Sequence, residues 1–360
     1  MIITKWIFAK DNLTQEQSDS WQKLQQESKH LSAGGSLSFA KNAHLLVKPN
    51  QFIYAYGYNK EKLLIILPLM KTSKVMLGTS YKCIQIISHN HLDCFIAVGQ
   101  NELAPNDIIS SLMNACRTQL SDWHLFLARR WLFENNIDTK YISPVYQRHA
   151  AFLNLSENKT TEQLIPKKLL KNVLRFEKRL STEGKLNLHI AQDKNNVVSA
   201  LEEFIRLEKL GWKGTKGSAI GCQETLSLFY HNCWSDFSND NQARIFFLKI
   251  DEQIIAASIA FQFGSRLYLH KITYNEELSN NGPGSVLVKK IIEYAADEQT
   301  LTSLCFNTNP PWLDRWHPKL YNLRAVLFFN HNLKGLLLKM CFNINSNLRL
   351  LKRRLEKLKS

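Results

Sequence analysis

The order of hydrophobic patterns along this chain occurs twice, and that repeat limits the folds open to it. In the first half, a helical stretch at 15–28 and an apolar segment at 39–47 precede a strand pair. The pair spans 52–56 and 63–69, with a turn at Asn59-Lys60 between. Further strands at 83–88 and 94–98, an amphipathic helix near 108–119 and a strand at 123–128 follow. In the second half, helices near 195–210 and 224–234 precede strands at 244–250 and 254–261, turned at Asp251-Glu252. A strand at 266–274, a helix from Gly284 to about 299 and a strand at 301–306 complete it. Helix, helix, three or more strands, helix, strand thus appears in each half, although side-chain identity between the halves is negligible. A chain of 360 residues also exceeds the length at which one core keeps growing. The expectation is an α/β (α+β) protein of two tandem domains, each a mixed, mainly antiparallel sheet flanked by helices. Domains are expected at 1–160 and 185–330, with a basic linking helix at 161–184 and basic amphipathic helices at 331–360.

Composition excludes some classes. A hydrophobic fraction of 44% with 11% aromatics describes a globular protein with a substantial core. No segment approaches the roughly 18 uninterrupted apolar residues of a membrane span. The first residues turn polar too soon for a secretory signal. Seven cysteines form no CxxC pair and are expected to be reduced, packed thiols of a cytoplasmic protein. His89-Asn-His91 lacks carboxylate or cysteine support at ligand spacing and reads as a loop, so no metal is expected.

Lysine and arginine number 46 against 31 acidic residues, a formal net charge of +15. Part of the excess lies in two amphipathic segments. One carries Lys167, Lys168, Lys171, Arg175, Lys178 and Arg179 around a stripe of Leu169, Val173, Phe176 and Leu180. The other carries Lys352, Arg353, Arg354 and Lys357 around Leu348, Leu351, Leu355 and Leu358. Such helices either present solvated basic faces or meet phosphates, anionic substrates or an acidic membrane. The inner face of the membrane is accordingly a second expected location, by peripheral contact.

The stretch from Glu208 to Ala219 carries the sharpest local signal. Glu208 falls on the apolar stripe of Val197, Leu201, Phe204 and Ile205, and a carboxylate there must be paired, hydrogen-bonded or functional. It is a candidate base, raised in pKa if desolvated, or a partner for Lys213 and turn amides. Trp212 reads as a stacking surface for a substrate ring or as a core aromatic, and Lys213 as an anion contact or an exposed side chain. Asp314, with Arg315, His317 and Tyr321, follows the final strand and is a further substrate-contact candidate.

Asn280-Asn-Gly-Pro-Gly-Ser285 opens a helix whose apolar stripe is Leu287, Val288, Ile291, Ile292 and Ala295. Free amides at a helix start, glycines for close approach and Pro283 near the first position suit a diphosphate. Ser285 can cap the helix or touch a phosphate. In the strand before it, alternation places Arg266, Tyr268, His270 and Tyr274 on one face. His270, with Tyr268 and Tyr274, is a candidate for deprotonating an amine or hydroxyl, unless that face is simply solvated.

Glu208-x-x-Gly-Trp-Lys-Gly-x-x-Gly-Ser-Ala219, the following Phe229-Tyr230 and Pro283-Gly-Ser285 resemble the GNAT acyltransferase superfamily. Leu169–Leu180 with Gly184, and Asn90-x-x-Leu-Asp93, add to the likeness. Within the superfamily the chain is most similar to CelD-like proteins related to the tandem-domain FemAB aminoacyltransferases. The resemblance covers most of the chain and implies two GNAT-like domains. It also implies an acyl-CoA cosubstrate, acetyl-CoA first. The diphosphate would lie against Ser279, Gly282, Pro283, Gly284 and Ser285, and the pantetheine along the strand around Ile272. The superfamily loop is Gln/Arg-x-x-Gly-x-Gly/Ala; here Ser279-x-x-Gly282-x-Gly284 lacks the leading long side chain. The implied function is direct N- or O-acyl transfer to an amino-sugar, polysaccharide precursor or lipid-linked envelope acceptor. The second domain would hold the cofactor and the first would shape the acceptor site. Two alternatives are aminoacyl transfer from charged tRNA, the one nucleic acid contact implied, and a degenerate binder of polysaccharide, lipid carrier or membrane.

Overall fold

The computed structural model describes residues 2–28, 31–76, 78–92, 95–132, 138, 148–155 and 160–344. The first half runs β1 (Lys5–Lys10), α1 (Gln15–Glu27), α2 (Leu37–Asn42), β2 (Gln51–Asn59), β3 (Lys62–Met76) and β4 (Thr79–Ile86). It continues through α3 (Pro105–Gln119), β5 (Leu125–Leu132) and β6 (Arg148–Asn154). Next come α4 (Thr161–Leu164), α5 (Lys167–Leu180), β7 (Leu186–Ala191), α6 (Lys194–Leu210), α7 (Trp212–Thr215) and α8 (Glu224–Asn239). Then follow β8 (Ala243–Ile250), β9 (Gln253–Phe263), β10 (Arg266–Tyr274), α9 (Pro283–Asp297), β11 (Ser303–Cys305) and β12 (Lys319–Phe329). The last described helix, α10, covers residues 333–344.

The chain divides into two compact units. The first comprises Met1–Ala40, Lys48–His149 and Asn322–Ser360; the second comprises Lys41–Val47 and Ala150–Tyr321. Strands in the first unit follow the order β1-β2-β3-β4-β5-β12, and in the second β6-β11-β10-β9-β8-β7. The two orders are one topology. In each, three antiparallel strands lead to a helix, and the next strand pairs in parallel with the third of them: β4 with β5, β10 with β11. A final antiparallel strand then completes the sheet, β12 on β5 and β6 on β11. Each of these closing strands comes from the other half of the sequence, which alternation within a half does not show. The fold is thus α/β, with two GNAT-like units in tandem.

Burial follows from the periodicities. In the first unit Ile108, Ile109, Leu112 and Cys116 of α3 face Ile65, Leu67, Ile84 and Phe126 of the sheet. Trp123 and Trp131 are fully buried and place their indole N–H groups on Cys116 O (3.0 Å) and Gln100 Oε1 (2.6 Å). In the second unit α9 buries Val286, Leu287, Val288, Ile291 and Ile292 against Phe246, Leu248, Ala256, Leu267 and Leu269, with Leu169, Val173 and Leu180 of α5 in the same cluster. Each such side chain removed from water is worth about 1.5–3 kcal/mol, so this cluster fixes α9 on the sheet. The basic helix expected at 161–184 is α5; it lies within the second unit and shares its core, and its cations Lys167, Lys168, Lys171, Arg175, Lys178 and Arg179 are exposed.

One local expectation is corrected. Of the strand expected at 94–98, the described residues 95–98 form no ladder: Phe95 bridges Trp131 and Val98 bridges Ile66. The apolar segment 39–47 begins inside α2 and continues as a 3₁₀ turn at Ala43–Leu45. The described cysteines Cys83, Cys116, Cys222, Cys233, Cys305 and Cys341 are free thiols, and burial pushes Cys83 up to about 11 and Cys116 up to about 12. Asp93, Cys94 and the stripe at 348–358 lie outside the described residues. Among the described residues no helix is long and apolar enough to cross a membrane.

Candidate functional site

β10 is the strand around which the second unit's polar side chains gather. Its parallel pairing with β11 ends at Tyr268↔Cys305, while β10 itself runs on to Tyr274. Along Leu269–Tyr274 its ladder partner is β9, and the register slips between Leu269 and Lys271, which makes His270 a bulge residue. The first unit has no such extension, since β4 stops at Ile86, directly after its last parallel pair at Gln85↔Leu127.

The bulge overturns the expected alternation. Before it, Leu267 and Leu269 belong to the α9 cluster; after it, Ile272 packs there instead of the odd-numbered neighbours. Tyr274 therefore lies on the α9 face, its ring Cδ1 only 3.1 Å from where a Cβ on Gly284 would stand. His270 looks the other way, toward α8, with its Nε2 2.8 Å from the Tyr230 hydroxyl and its ring beside Trp234 and Phe261. Tyr268 is buried on that same side, stacked on Phe261 at 5.2 Å. His270 and Tyr274 do not share a face.

Glu208 is fully buried on α6. Its Oε1 accepts from Lys213 Nζ at 3.0 Å and Lys271 Nζ at 3.3 Å, and its Oε2 accepts from the Ile220 amide at 2.8 Å. Desolvation pushes its pKa up, but Lys271, Lys213 and the amide outweigh it and hold the carboxyl below its ordinary value. The raised pKa anticipated from burial is thus corrected: with both oxygens committed, Glu208 orders the glycine-rich turn. Lys213 is correspondingly occupied, donating also to Ile272 O at 3.2 Å. Trp212 is half exposed, not a core aromatic, and lies under Lys216 Nζ at 5.1 Å from its ring.

At the start of α9, Gly282 is left-handed (φ 56°) as N-cap and Pro283 occupies the first helical position. A Cβ on Gly282 would come within 2.6 Å of the Phe176 ring of α5, so this turn needs glycine on two counts. The Ser285 and Val286 amides turn back to Gly282 O at 2.9 and 3.1 Å. Anion contacts at this end therefore fall to the Gly284 amide, the Ser285 hydroxyl and a cation that the motif did not show: Arg315 NH2 donates to Ser285 Oγ at 2.9 Å. Arg315 is exposed, in the 3₁₀ turn Pro311–Trp316. Ser279 is exposed in the preceding 3₁₀ turn and its carbonyl accepts from the Gly282 amide at 3.1 Å. Asp314, beside Arg315, is exposed.

The expected site residues thus form two groups. Tyr274, Ile272, Gly282, Gly284 and Ser285 lie on the α9 face; Glu208, Lys213, Tyr268 and His270 lie on the α6–α8 face, and the parting of β10 from β11 lies between. Sequence reasoning left Tyr230 and Lys271 without roles: Tyr230 meets His270 from α8, and the bulge turns Lys271 to Glu208. A cavity of about 440 Å³ opens beside Tyr274, with Leu207, Gly211, Glu203, Glu276 and Glu277 in its lining. Among the described residues no group of three or more histidines, cysteines or carboxylates is placed to hold a metal.

Residues 167–311 match the Acetyltransferase (GNAT) domain family, so the stretch from α5 to the turn after β11 carries a GNAT-type domain. No curated protein matches the chain in sequence. Among solved structures the fold is similar to FemX, with TM-score 0.59 at 11% identity over 93% of this chain and 100% of that one. It is similar to a conserved protein of unknown function from Bacteroides thetaiotaomicron, with TM-score 0.57 at 9% identity over 89% of this chain and 99% of that one. It is also similar to L-PGS from Bacillus licheniformis, with TM-score 0.54 at 13% identity over 92% of this chain and 96% of that one. At these identities the likeness is one of fold.

Proposed function

We propose that the second unit is an acyltransferase that takes its acyl group from an acyl-CoA, acetyl-CoA first, and passes it directly to an amine or hydroxyl. The observation that carries this reading is the opening of β10 from β11 after Tyr268↔Cys305, which runs toward the start of α9. A pantetheine arm has the amides and carbonyls to add to such an edge in place of a strand. The chain's residues fit the rest of a CoA. The Gly284 amide, Ser285 hydroxyl and Arg315 guanidinium would hold the diphosphate, with Arg315 standing in for the long polar side chain missing at Ser279. The exposed cations of α5, whose Phe176 touches Gly282, would neutralise further phosphate.

Carried through the opening, the thioester meets the opposite face, where His270 stands at the bulge. His270 would accept the proton of the attacking nucleophile at Nδ1, with Nε2–H donating to Tyr230 OH at 2.8 Å and so orienting the ring. The acceptor nitrogen or oxygen forms the new bond to the acyl carbon, the carbon–sulfur bond breaks, and the thiolate takes up a proton. In the lining of the cavity beside Tyr274, Arg206 pairs with Glu203, and the remaining carboxylates Glu252, Glu276 and Glu277 favour an acceptor bearing an amine. An envelope precursor, a sugar or a lipid-linked molecule, is the acceptor class we propose. This extends the family match at 167–311.

A second reading, aminoacyl transfer from charged tRNA, draws on the exposed basic face of α5 beside the same helix start. The two differ in donor. Radiolabelled acetyl-CoA and aminoacyl-tRNA, each offered with a panel of amino sugars, separate them: the first reading expects turnover with the thioester alone. Turnover only with aminoacyl-tRNA transfers the assignment to the second.

A further inference from the structure

We infer that α10 is a docking surface for an anionic lipid bilayer. The helix is held to the first unit along one side only. Leu338 is buried, and Phe342 packs on Phe329 at 5.8 Å. Its start is fixed by Asn330 and Asn332, whose amides both donate to Trp123 O at 2.9 and 3.0 Å, while Asn332 Oδ1 accepts from the Gly335 amide at 2.9 Å. The opposite side carries Leu333, Leu336, Leu337, Met340 and Ile344, all exposed, with Leu333 at 75% and Met340 at 63%.

At about 100° per residue these five fall in one stripe about 100° wide, centred opposite Leu338. A contiguous apolar stripe of this size on a rigidly anchored helix is unusual unless something covers it. The charge around it selects the partner. Lys334 and Lys339 flank the stripe on its two sides, and residues 345–360 add Arg349, Lys352, Arg353, Arg354, Lys357 and Lys359 against the single acidic Glu356. Together with the net +15 of the chain, this matches a surface that is apolar within and negative at its rim. Lying in the headgroup plane, the stripe would bury in the acyl boundary while both lysines reach lipid phosphates.

The test is co-sedimentation of the full chain with phosphatidylglycerol–phosphatidylcholine vesicles and with pure phosphatidylcholine vesicles. The double variant Leu336→Asp/Met340→Asp and the variant Lys334→Glu/Lys339→Glu are run beside it. All four side chains point to solvent, so far-UV circular dichroism and melting should be unchanged. The wild type is expected on anionic vesicles, with binding lowered by salt. The apolar variant should bind at least tenfold more weakly, equivalent to about 1.4 kcal/mol. The charge variant, which keeps the cations of 345–360, should bind the anionic vesicles more weakly than the wild type. Equal binding by wild type and both variants, or none by the wild type, overturns the proposal. So does a wild-type dimer in sedimentation velocity that Leu336→Asp/Met340→Asp dissociates, since the stripe would then be a self-interface.

Discussion

Lys213 reaches back five residues to Glu208: its ammonium lies 3.0 Å from a carboxylate that is completely buried. The same nitrogen donates to Ile272 O, so one ion pair ties the turn after α6 to β10. Removing the carboxylate leaves Lys213 and Lys271 facing an apolar interior. Glu208→Gln is therefore expected to destabilise the protein by about 3 kcal/mol, the lower end for breaking a buried pair because both lysines keep some contact with water. Urea denaturation of the two proteins measures it, and a change within error would mean that the pair is replaceable.

Acid should weaken the fold through the same group. The Glu208 carboxyl is held below its ordinary value, as is that of Glu177 between Lys289 and Lys290. A depressed folded-state pKa contributes stability that is complete above the unfolded carboxylate range and is lost as pH falls through the folded value. The melting temperature should drop as pH is lowered through that range, and less steeply in Glu208→Gln. Equal slopes would remove Glu208 from the explanation.

His270 and Tyr230 should separate in kinetics. His270→Ala is expected to lower kcat by about 10²-fold or more while leaving the KM for the acyl donor near its wild-type value. Tyr230→Phe keeps the ring beside His270 but removes the hydroxyl at 2.8 Å, and should cost less. A loss confined to KM in His270→Ala would place the imidazole in donor binding and not in proton transfer.

Arg315 is exposed and bonded to Ser285 Oγ, so Arg315→Ala should fold normally. Loss of a charge-assisted contact to phosphate should weaken CoA binding about tenfold, or about 1.4 kcal/mol. Arg315→Lys should recover part of the loss, through charge without the fork geometry. Unchanged affinity in Arg315→Ala would leave the missing loop side chain uncompensated.

Much of this fold was legible because its elements carry clean periodicity: α9 and β8 to β10 lie within a few residues of where apolar spacing placed them. The closing strands β6 and β12 were not, because each completes a sheet built from the distant half of the chain, and nothing local marks such pairing. The start of α9 was legible in Asn280-Asn-Gly-Pro-Gly-Ser285, since glycine and proline constrain the backbone directly. The faces of β10 were not. One bulge at His270 inverts the parity of every residue after it, and period-two reasoning carries no signal for a bulge. Burial of Glu208 was read correctly from its stripe, yet the sign of its pKa shift depended on Lys271, whose side chain reaches it only through that same bulge.

Isothermal titration of CoA into the wild type and into Gly284→Glu tests the diphosphate assignment most directly. A Cβ at Gly284 would stand 3.1 Å from Tyr274 Cδ1, so that exposed ring must shift slightly. A carboxylate in the first turn of α9 favours the helix dipole and repels an anion at that spot. The variant's melting curve is recorded beside the titration to show that it is folded. One CoA bound per chain in the wild type, and no measurable heat from the variant, is the predicted result. Equal affinity in the two proteins would contradict the account, placing the carrier somewhere other than the start of α9.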